Sequence, residues 1–433
     1  MEPTLSRTEL LASYESYGCP PERWLVGGEY ERAVVRGDGS PVGYHEPDGI
    51  RYIVEQIAAR EHGKIKREGE FPVEVQYAGA SITLEPGGQV ELSGAPFRRL
   101  GDLAAEVRHN RDVLHALSEG RDHHWIAAGL TPYPKIEDIQ FVPKGRYAVM
   151  RDYLPQQGKL ANWMMKGTCS VQANFDYADE ADCARKFRAA MLLGPLTTAI
   201  FANSPVAEGR ATGFQSYRGM VWTQTDPART GFPDAVREGY THARWIDYLL
   251  DTPMMFYMRH GAWAPAHGAT FRTWMEQGLD GVYPTADDWA LHQTSVFPEV
   301  RVKRTIEIRG ADAVNVDLAV AFCAFWTGLL YGALDGTLAV AEAFAATGGT
   351  PMERHLAGAR DGMDARFGAH TGAEWARQLA TLATQGLGAI GEDVTLLDPL
   401  LAPIASGRSP ARDVMDAWAK DPSPANILKV LAY

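Results

Sequence analysis

Hydrophobic positions along this chain switch between a period of two and a period near 3.6, the marks of half-buried strands and amphipathic helices. Alternation governs WLVGGEYERAVV, where Glu29 and Glu31 share one strand face and Tyr30 takes the other. It returns in ITLEPGGQVELSGAP. There a short strand ends at Glu85, Pro86-Gly87-Gly88 makes a tight turn, and a second strand sets Gln89 and Glu91 against Val90 and Leu92. TCSVQANFD places Ser170, Gln172 and Asn174 opposite Cys169, Val171, Ala173 and Phe175. RVKRTIEIRG reads as one strand, with Lys303, Thr305, Glu307 and Arg309 facing away from Val302, Arg304, Ile306 and Ile308. A further strand enters at Trp125 through Gly129.

Helical spacing appears elsewhere. Ser6 and Glu9 form a capping box ahead of a helix ending near Gly18, with Leu5 and Leu10 as its hydrophobic staple. Further helices are predicted around Tyr52 to Glu61, along Leu100, Leu103, Val107, Leu114 and Leu117, from Asp179 to Ala202, and through Trp245 to Leu250. Val316 to Leu330 reads as a buried helix. The Ala-rich remainder reads as packed helices broken around Gly348, Gly386 and Pro403, with starts at Ser409-Pro410 and Ser423-Pro424. The Met and aromatic residues of FYMRHGAW read as core. We find no internal repeat or coiled coil. Residues 1–433 are expected to form one compact unit, with the main active-site sheet in about 1–315 and a helical region in 316–433.

Composition narrows the class. A hydrophobic fraction of 45% and a charged fraction of 22% are those of a globular protein. A formal charge of -12 argues against nonspecific nucleic-acid binding but allows an anionic small substrate held by local arginines. Cys19, Cys169, Cys183 and Cys323 are scattered, and His260, His267 and His292 lack metal-ligand spacing, so no zinc site is expected. The N-terminus has no hydrophobic signal core and the apolar run at Val320 to Leu329 is short. We therefore expect a cytoplasmic enzyme with no membrane partner.

The polar strand faces carry the chemistry. Carboxylates at Glu29, Glu31, Glu85, Glu91 and Glu307 can hold hard divalent cations, pair with arginines, or face solvent. Gln172 and Asn174 can position water, metal or substrate. Lys144 and Arg146 belong either to a surface helix or to a phosphate or carboxylate pocket, and Arg218 and Arg229 can form bidentate contacts to such anions. Trp222 supplies either a pocket wall or ordinary packing. No G-x-x-x-x-G-K-S/T phosphate loop is present.

Read together, GGEYER, LEPGGQVELSGAP, PKGRYAVMRDYLP, TCSVQANFD, FANSP, WTQTDPARTG, FPEVRVKRTIEIRGAD and AFWTGLLYG resemble, in order, the motifs of plant-type glutamate-cysteine ligases. That resemblance implies an α+β fold with a glutamine-synthetase-like antiparallel catalytic sheet forming a funnel, surrounded by helices. It implies ATP-dependent formation of L-gamma-glutamyl-L-cysteine through gamma-glutamyl phosphate, with Mg2+ as cofactor and L-glutamate, L-cysteine and ATP as partners. It further implies metal ligation by Glu29, Glu31, Glu85, Glu91 and Glu307, with Gln172 as an added ligand or water-positioning group. Arg309 would stand on the ATP terminal phosphate, joined in nucleotide binding by Lys144 and Arg146. Arg218 and Arg229 would orient glutamate carboxylates or phosphate, Asn174 would contact substrate, and Trp222 with Thr223 would shape the glutamate pocket.

The chain departs from the family at Tyr30 and Arg32, where plant members usually have His and Lys. It also has Ala266 and Gly281 where a redox-controlled hairpin commonly has cysteines. Other readings remain: a gamma-glutamyl-amine ligase with a different acceptor, an acyl-phosphate-forming kinase, or an amino-acid-responsive ATP-binding protein.

Overall fold

The computed structural model describes residues 5–234, 239–259 and 261–433. His260 therefore lies outside the described residues.

The alternating segments fold into one nine-stranded sheet. Its strands are β1 (Val26–Val35), β2 (Lys64–Glu68), β3 (Phe71–Tyr77), β4 (Ala80–Leu84), β5 (Val90–Ser93), β6 (His124–Ile126), β7 (Ser170–Phe175), β8 (Val300–Val302) and β9 (Ile306–Asp312). The order is β8-β9-β7-β1-β5-β4-β3-β2, with β6 paired to the far end of β1, and every pairing is antiparallel. This path has two ends, and β2 and β8 do not pair with each other. Closing a sheet requires its edges to meet. The expected funnel-shaped, glutamine-synthetase-like sheet is thus corrected: the fold is α+β with an open antiparallel sheet and surrounding helices.

One face of the sheet is apolar. Tyr30, Val171, Ala173, Phe175, Ile306 and Ile308 are buried there, and Tyr30 Oη lies 3.5 Å from Cys323 Sγ. Three helices matter for the site: α1 (Gly145–Gln157), α2 (Glu180–Ile200) and α3 (Val316–Thr327). α2 packs on β9 and α3 on β7 and β1, so the hydrophobic core joins the sheet to the C-terminal helices. α3 is buried almost throughout. Among the described residues, no single helix is long and apolar enough to cross a membrane.

Local departures have physical causes. RVKRTIEIRG is a hairpin: Lys303, Arg304 and Thr305 turn the chain, and Arg301 stands opposite Glu307. Gly386 does not break a helix but lies within Gly372–Ala389, where it meets Gly328 so closely that a Cβ would strike that backbone. Pro403 likewise lies inside helix Asp398–Ser406. The 86–88 turn is as expected, with Gly88 N donating to Glu85 O at 2.9 Å and Gly88 at φ +86°.

Candidate active site

Strand pairing sets the polar face in register. One rung runs Gln172, Glu29, Ser93, Ser81; the next sets Glu31 opposite Glu91, with Thr83 beyond. Two carboxylates directly opposite on an antiparallel pair repel. Neighbouring donors offset part of this. Ser170 N and Gln172 Nε2 donate to Glu31 at 2.7 and 3.0 Å. Ser93 Oγ and Thr83 Oγ1 donate to Glu91 at 2.9 and 3.1 Å, and Asn174 Nδ2 donates to Glu29 at 2.8 Å.

These acids line a cavity of about 230 Å³ with Glu85, Ser93, Arg146, Tyr147, Gln172, Arg301, Lys303 and Arg309. Its apolar wall is Met150, Met255, Phe256 and Phe297. α1 supplies Arg146, Tyr147 and Met150. A hairpin of Phe256–Arg259 and Ala262–Pro265 supplies Phe256 and seats Trp263 against Gly145 at the start of α1.

The cavity has an acid wall that adjoins, at Glu29, a cationic one. On the first, burial and then the neighbouring carboxylates push Glu29 and Glu91 up to about 7 and Glu31 up to about 8. On the second, Arg301 grips the fully buried Glu307 through Nε at 2.8 Å and Nη2 at 2.7 Å. Lys303 Nζ stands 3.3 Å from the same carboxylate, and Arg309 Nη1 also donates to it. Burial alone would raise Glu307, but Arg301, Lys303 and Arg309 hold it well below the usual carboxylate range.

The side chain of Arg309 is aimed by a bulge. The β9–β7 register shifts between Ile308 and Ala311, which takes the Arg309 carbonyl out of the ladder. Arg218 Nη2 donates to that carbonyl at 3.0 Å, while Thr198 Oγ1 donates to Gly310 O at 3.1 Å. Arg309 Nη1 meanwhile donates to Gln172 Oε1 at 2.5 Å.

Of the residues anticipated from sequence, Glu29, Glu31, Glu85, Glu91, Gln172, Arg146 and Arg309 line the cavity together. Glu307 lies beneath its cationic wall, and Asn174 bridges Glu29 and Thr305. Five others stand behind the wall. Lys144 Nζ donates to Leu84 O at 3.0 Å, and burial lowers its ammonium to about 8. Arg218 is buried 4.0 Å from Asp312. Trp222 packs 5.8 Å from the Phe297 ring, and Thr223 Oγ1 donates to Met220 O. Arg229 is enclosed by Asp226, Ser295 O, Tyr153 Oη and Pro253 O.

Arg301 and Lys303 enter the site without having been assigned there. Arg301 shares its parity with Lys303 and Glu307, which is the signal that could have found it. Phe256, expected as core, is buried yet also forms cavity wall, as does the neighbouring Met255. His292 is not a ligand: its Nε2 lies 2.7 Å from Leu249 O, and burial lowers it to about 4.

Among the described residues, no three of His, Cys, Asp or Glu close into a ready-made cation cage. The acid wall is instead open and all-oxygen. A hard cation that keeps waters and takes phosphate oxygens fits such a wall better than a closed cage would.

A model of glutamate-cysteine ligase family 2 matches residues 25–427. The chain is 37% identical over 426 residues to the chloroplastic glutamate-cysteine ligase of Brassica juncea, spanning 96% of this chain and 81% of that protein. It is 40% identical over 329 residues to the chloroplastic enzyme of Nicotiana tabacum, spanning 75% of this chain and 62% of the tobacco protein. Two solved structures share its fold at a TM-score of 0.56. They are a glutamate-cysteine ligase of Francisella tularensis in complex with AMP (12% identity; 94% of this chain, 87% of that one) and a bifunctional glutathione synthetase of Pasteurella multocida (11%; 98% and 53%). The chloroplastic assignment of the plant relatives overturns the expectation of a cytoplasmic enzyme. A plastid transit segment is amphipathic rather than apolar, so a missing hydrophobic signal core did not bear on that question.

Proposed function

Because this chain belongs to glutamate-cysteine ligase family 2, we infer that its cavity joins L-glutamate to L-cysteine at the expense of ATP. The single observation that carries the reading is the meeting, within one cavity, of four carboxylates with Arg146, Arg301, Lys303 and Arg309. Phosphoryl transfer calls for both: oxygen donors that would hold a divalent cation, and positive charge where negative charge gathers.

A glutamate side-chain oxygen attacks the γ-phosphorus of ATP, releasing ADP and giving gamma-glutamyl phosphate. The neutral α-amine of cysteine then attacks the acyl carbon, loses a proton, and phosphate departs. No protein acyl intermediate is needed, and Cys169, Cys183 and Cys323 are buried with free thiols. Arg309, gripped by Glu307 and Gln172, is pre-aimed for the transferring phosphoryl group. Its charge needs no reorganisation during the reaction. Gln172 orders Glu31 and Arg309 at once. Met150, Met255, Phe256 and Phe297 exclude water from the acyl phosphate. Glu29, Glu31, Glu85 and Glu91 would hold Mg2+, which when bound offsets phosphate charge.

Arg218 acts from behind, through the Arg309 carbonyl, and Arg229 through the segment carrying Ser295. The test is mass-resolved product formation from protein, Mg2+, ATP, L-glutamate and L-cysteine, with other amines in parallel. Gamma-glutamylcysteine with one ADP per amide is expected. Another amide in its place would reassign the acceptor, and no amide at all would remove the ligase reading.

A further inference from the structure

Three cations crowd Glu307, yet one carboxylate can neutralise only one of them. Arg301 occupies both of its oxygens in a fork, and its side chain is only 7% exposed. Arg309 shares one oxygen and is fixed a second time by Gln172, at 12% exposed. Lys303 differs in kind. Its ammonium reaches Glu307 Oε2 at 3.3 Å, an oxygen that Arg301 Nε already holds at 2.8 Å, and its side chain is 31% exposed in the cavity wall.

The backbone under Lys303 is nevertheless fixed. Lys303 N donates to Thr305 O at 3.1 Å across the β8–β9 turn, and Thr305 Oγ1 anchors that turn to Asn174 at 3.0 Å. A pinned Cα bearing four rotatable bonds lets the charge sweep an arc while its origin stays put. That arc lies between Glu307 and Glu29, whose carboxylate also feels the Lys303 charge.

We propose that Lys303 is a transferable cation, resting on Glu307 in the free protein and moving onto anionic oxygens of the bound substrate. Its departure leaves Glu307 paired with Arg301 and Arg309, so no buried charge is stranded. The anion gains a charge-assisted hydrogen bond that the two arginines, held in place, cannot supply from that side.

The proposal rests on the ligase reading for the identity of the anion, which is either the ATP polyphosphate or a glutamate carboxylate. Separate KM measurements for ATP and glutamate in Lys303→Met decide between them. The expected result is a rise of about tenfold or more in one KM, with Lys303→Arg recovering most of it and the melting temperature nearly unchanged. Lys303→Gln gives the same comparison if the Met variant fails to fold. Unchanged KM values with a lowered melting temperature would overturn the proposal, leaving Lys303 as a mere neutraliser of Glu307. If the wild-type protein forms no gamma-glutamyl amide, the ligase reading fails by itself. Direct binding of ATP and of glutamate to wild type and Lys303→Met then decides the Lys303 proposal: weaker binding of either supports it, and equal binding of both removes it.

Discussion

Arg301 and Glu307 face each other across the β8–β9 ladder and are joined by two parallel hydrogen bonds of 2.8 and 2.7 Å. Both are buried, and Arg301 also donates to Val296 O at 2.9 Å, tying the site's cationic wall to the segment that carries Phe297. Removing the single carboxylate strands buried positive charge, so Glu307→Gln is expected to cost about 3–5 kcal/mol. Arg301→Gln should cost less, because Arg309 and Lys303 still stand against the Glu307 carboxylate. The double substitution should cost clearly less than the sum. Denaturant unfolding of the four proteins measures this coupling, and strictly additive losses would show that the pair does not act as a unit.

Stability without a divalent cation should fall as pH rises. Glu29, Glu31 and Glu91 titrate near 7, 8 and 7, above the ordinary value of 4.5. Their raised values in the folded state stabilise it fully below about pH 4.5, and that contribution is lost as pH climbs through about 7 to 8. Glu307 has the opposite sign: its lowered value contributes above 4.5 and is lost in acid. In chelator, the melting temperature is expected to decline between about pH 5 and 8. Added Mg2+ should restore more the higher the pH, since it binds ionised carboxylates. A melting temperature that stays flat in chelator across this range would contradict the assignment of a crowded acid wall.

Glu31→Gln separates function from fold. The amide keeps the shape of the side chain but only one of the two oxygens that accept from Ser170 N and Gln172 Nε2, while removing the charge opposite Glu91. The chelated variant should therefore lose stability relative to wild type at about pH 5 and lose less, or none, at about pH 8, where the like-charge repulsion it relieves is greatest. Its Mg2+-dependent activity should fall by about 100-fold or more. Calorimetric titration with Mg2+ checks the cause: a ligand role requires weaker binding, whereas unaltered affinity would place Glu31 outside the cation site.

The face assignments on β1, β5 and β7 were legible because alternation has a period of two and each strand has one apolar side. Glu29 and Glu31 had to share a face whatever the tertiary structure. Partners were less legible. Lys303-Arg304-Thr305 contains no Gly, Pro, Asn or Asp, so nothing in it announces the turn that brings Arg301 opposite Glu307. Gly386 has the composition of a helix stop, and only the close crossing with Gly328 shows why a glycine stands inside that helix. Sheet closure was beyond reach for a similar reason. Alternation sets which side chains point inward, but the fate of β2 and β8 depends on edges that no local pattern describes.

Arg229 supplies the sharpest contrast between charge and role. Its guanidinium is wholly buried, bonded to Asp226 at 2.5 Å and donating to Ser295 O at 3.0 Å and Pro253 O at 2.6 Å. Those two carbonyls belong to the segments that lead into Phe297 on one side and Met255 and Phe256 on the other, all three in the cavity wall. Lysine keeps the charge but cannot fork to several acceptors. Arg229→Lys is thus expected to lose about 2–4 kcal/mol of stability, from unpaired carbonyls and a weakened pair with Asp226. Catalysis should suffer through misplacement of the wall, so KM values for more than one substrate should rise together. A role as a direct glutamate contact predicts a different pattern: a rise in the glutamate KM alone, with little change in unfolding. Chemical denaturation and substrate-resolved kinetics on this one variant decide between the two.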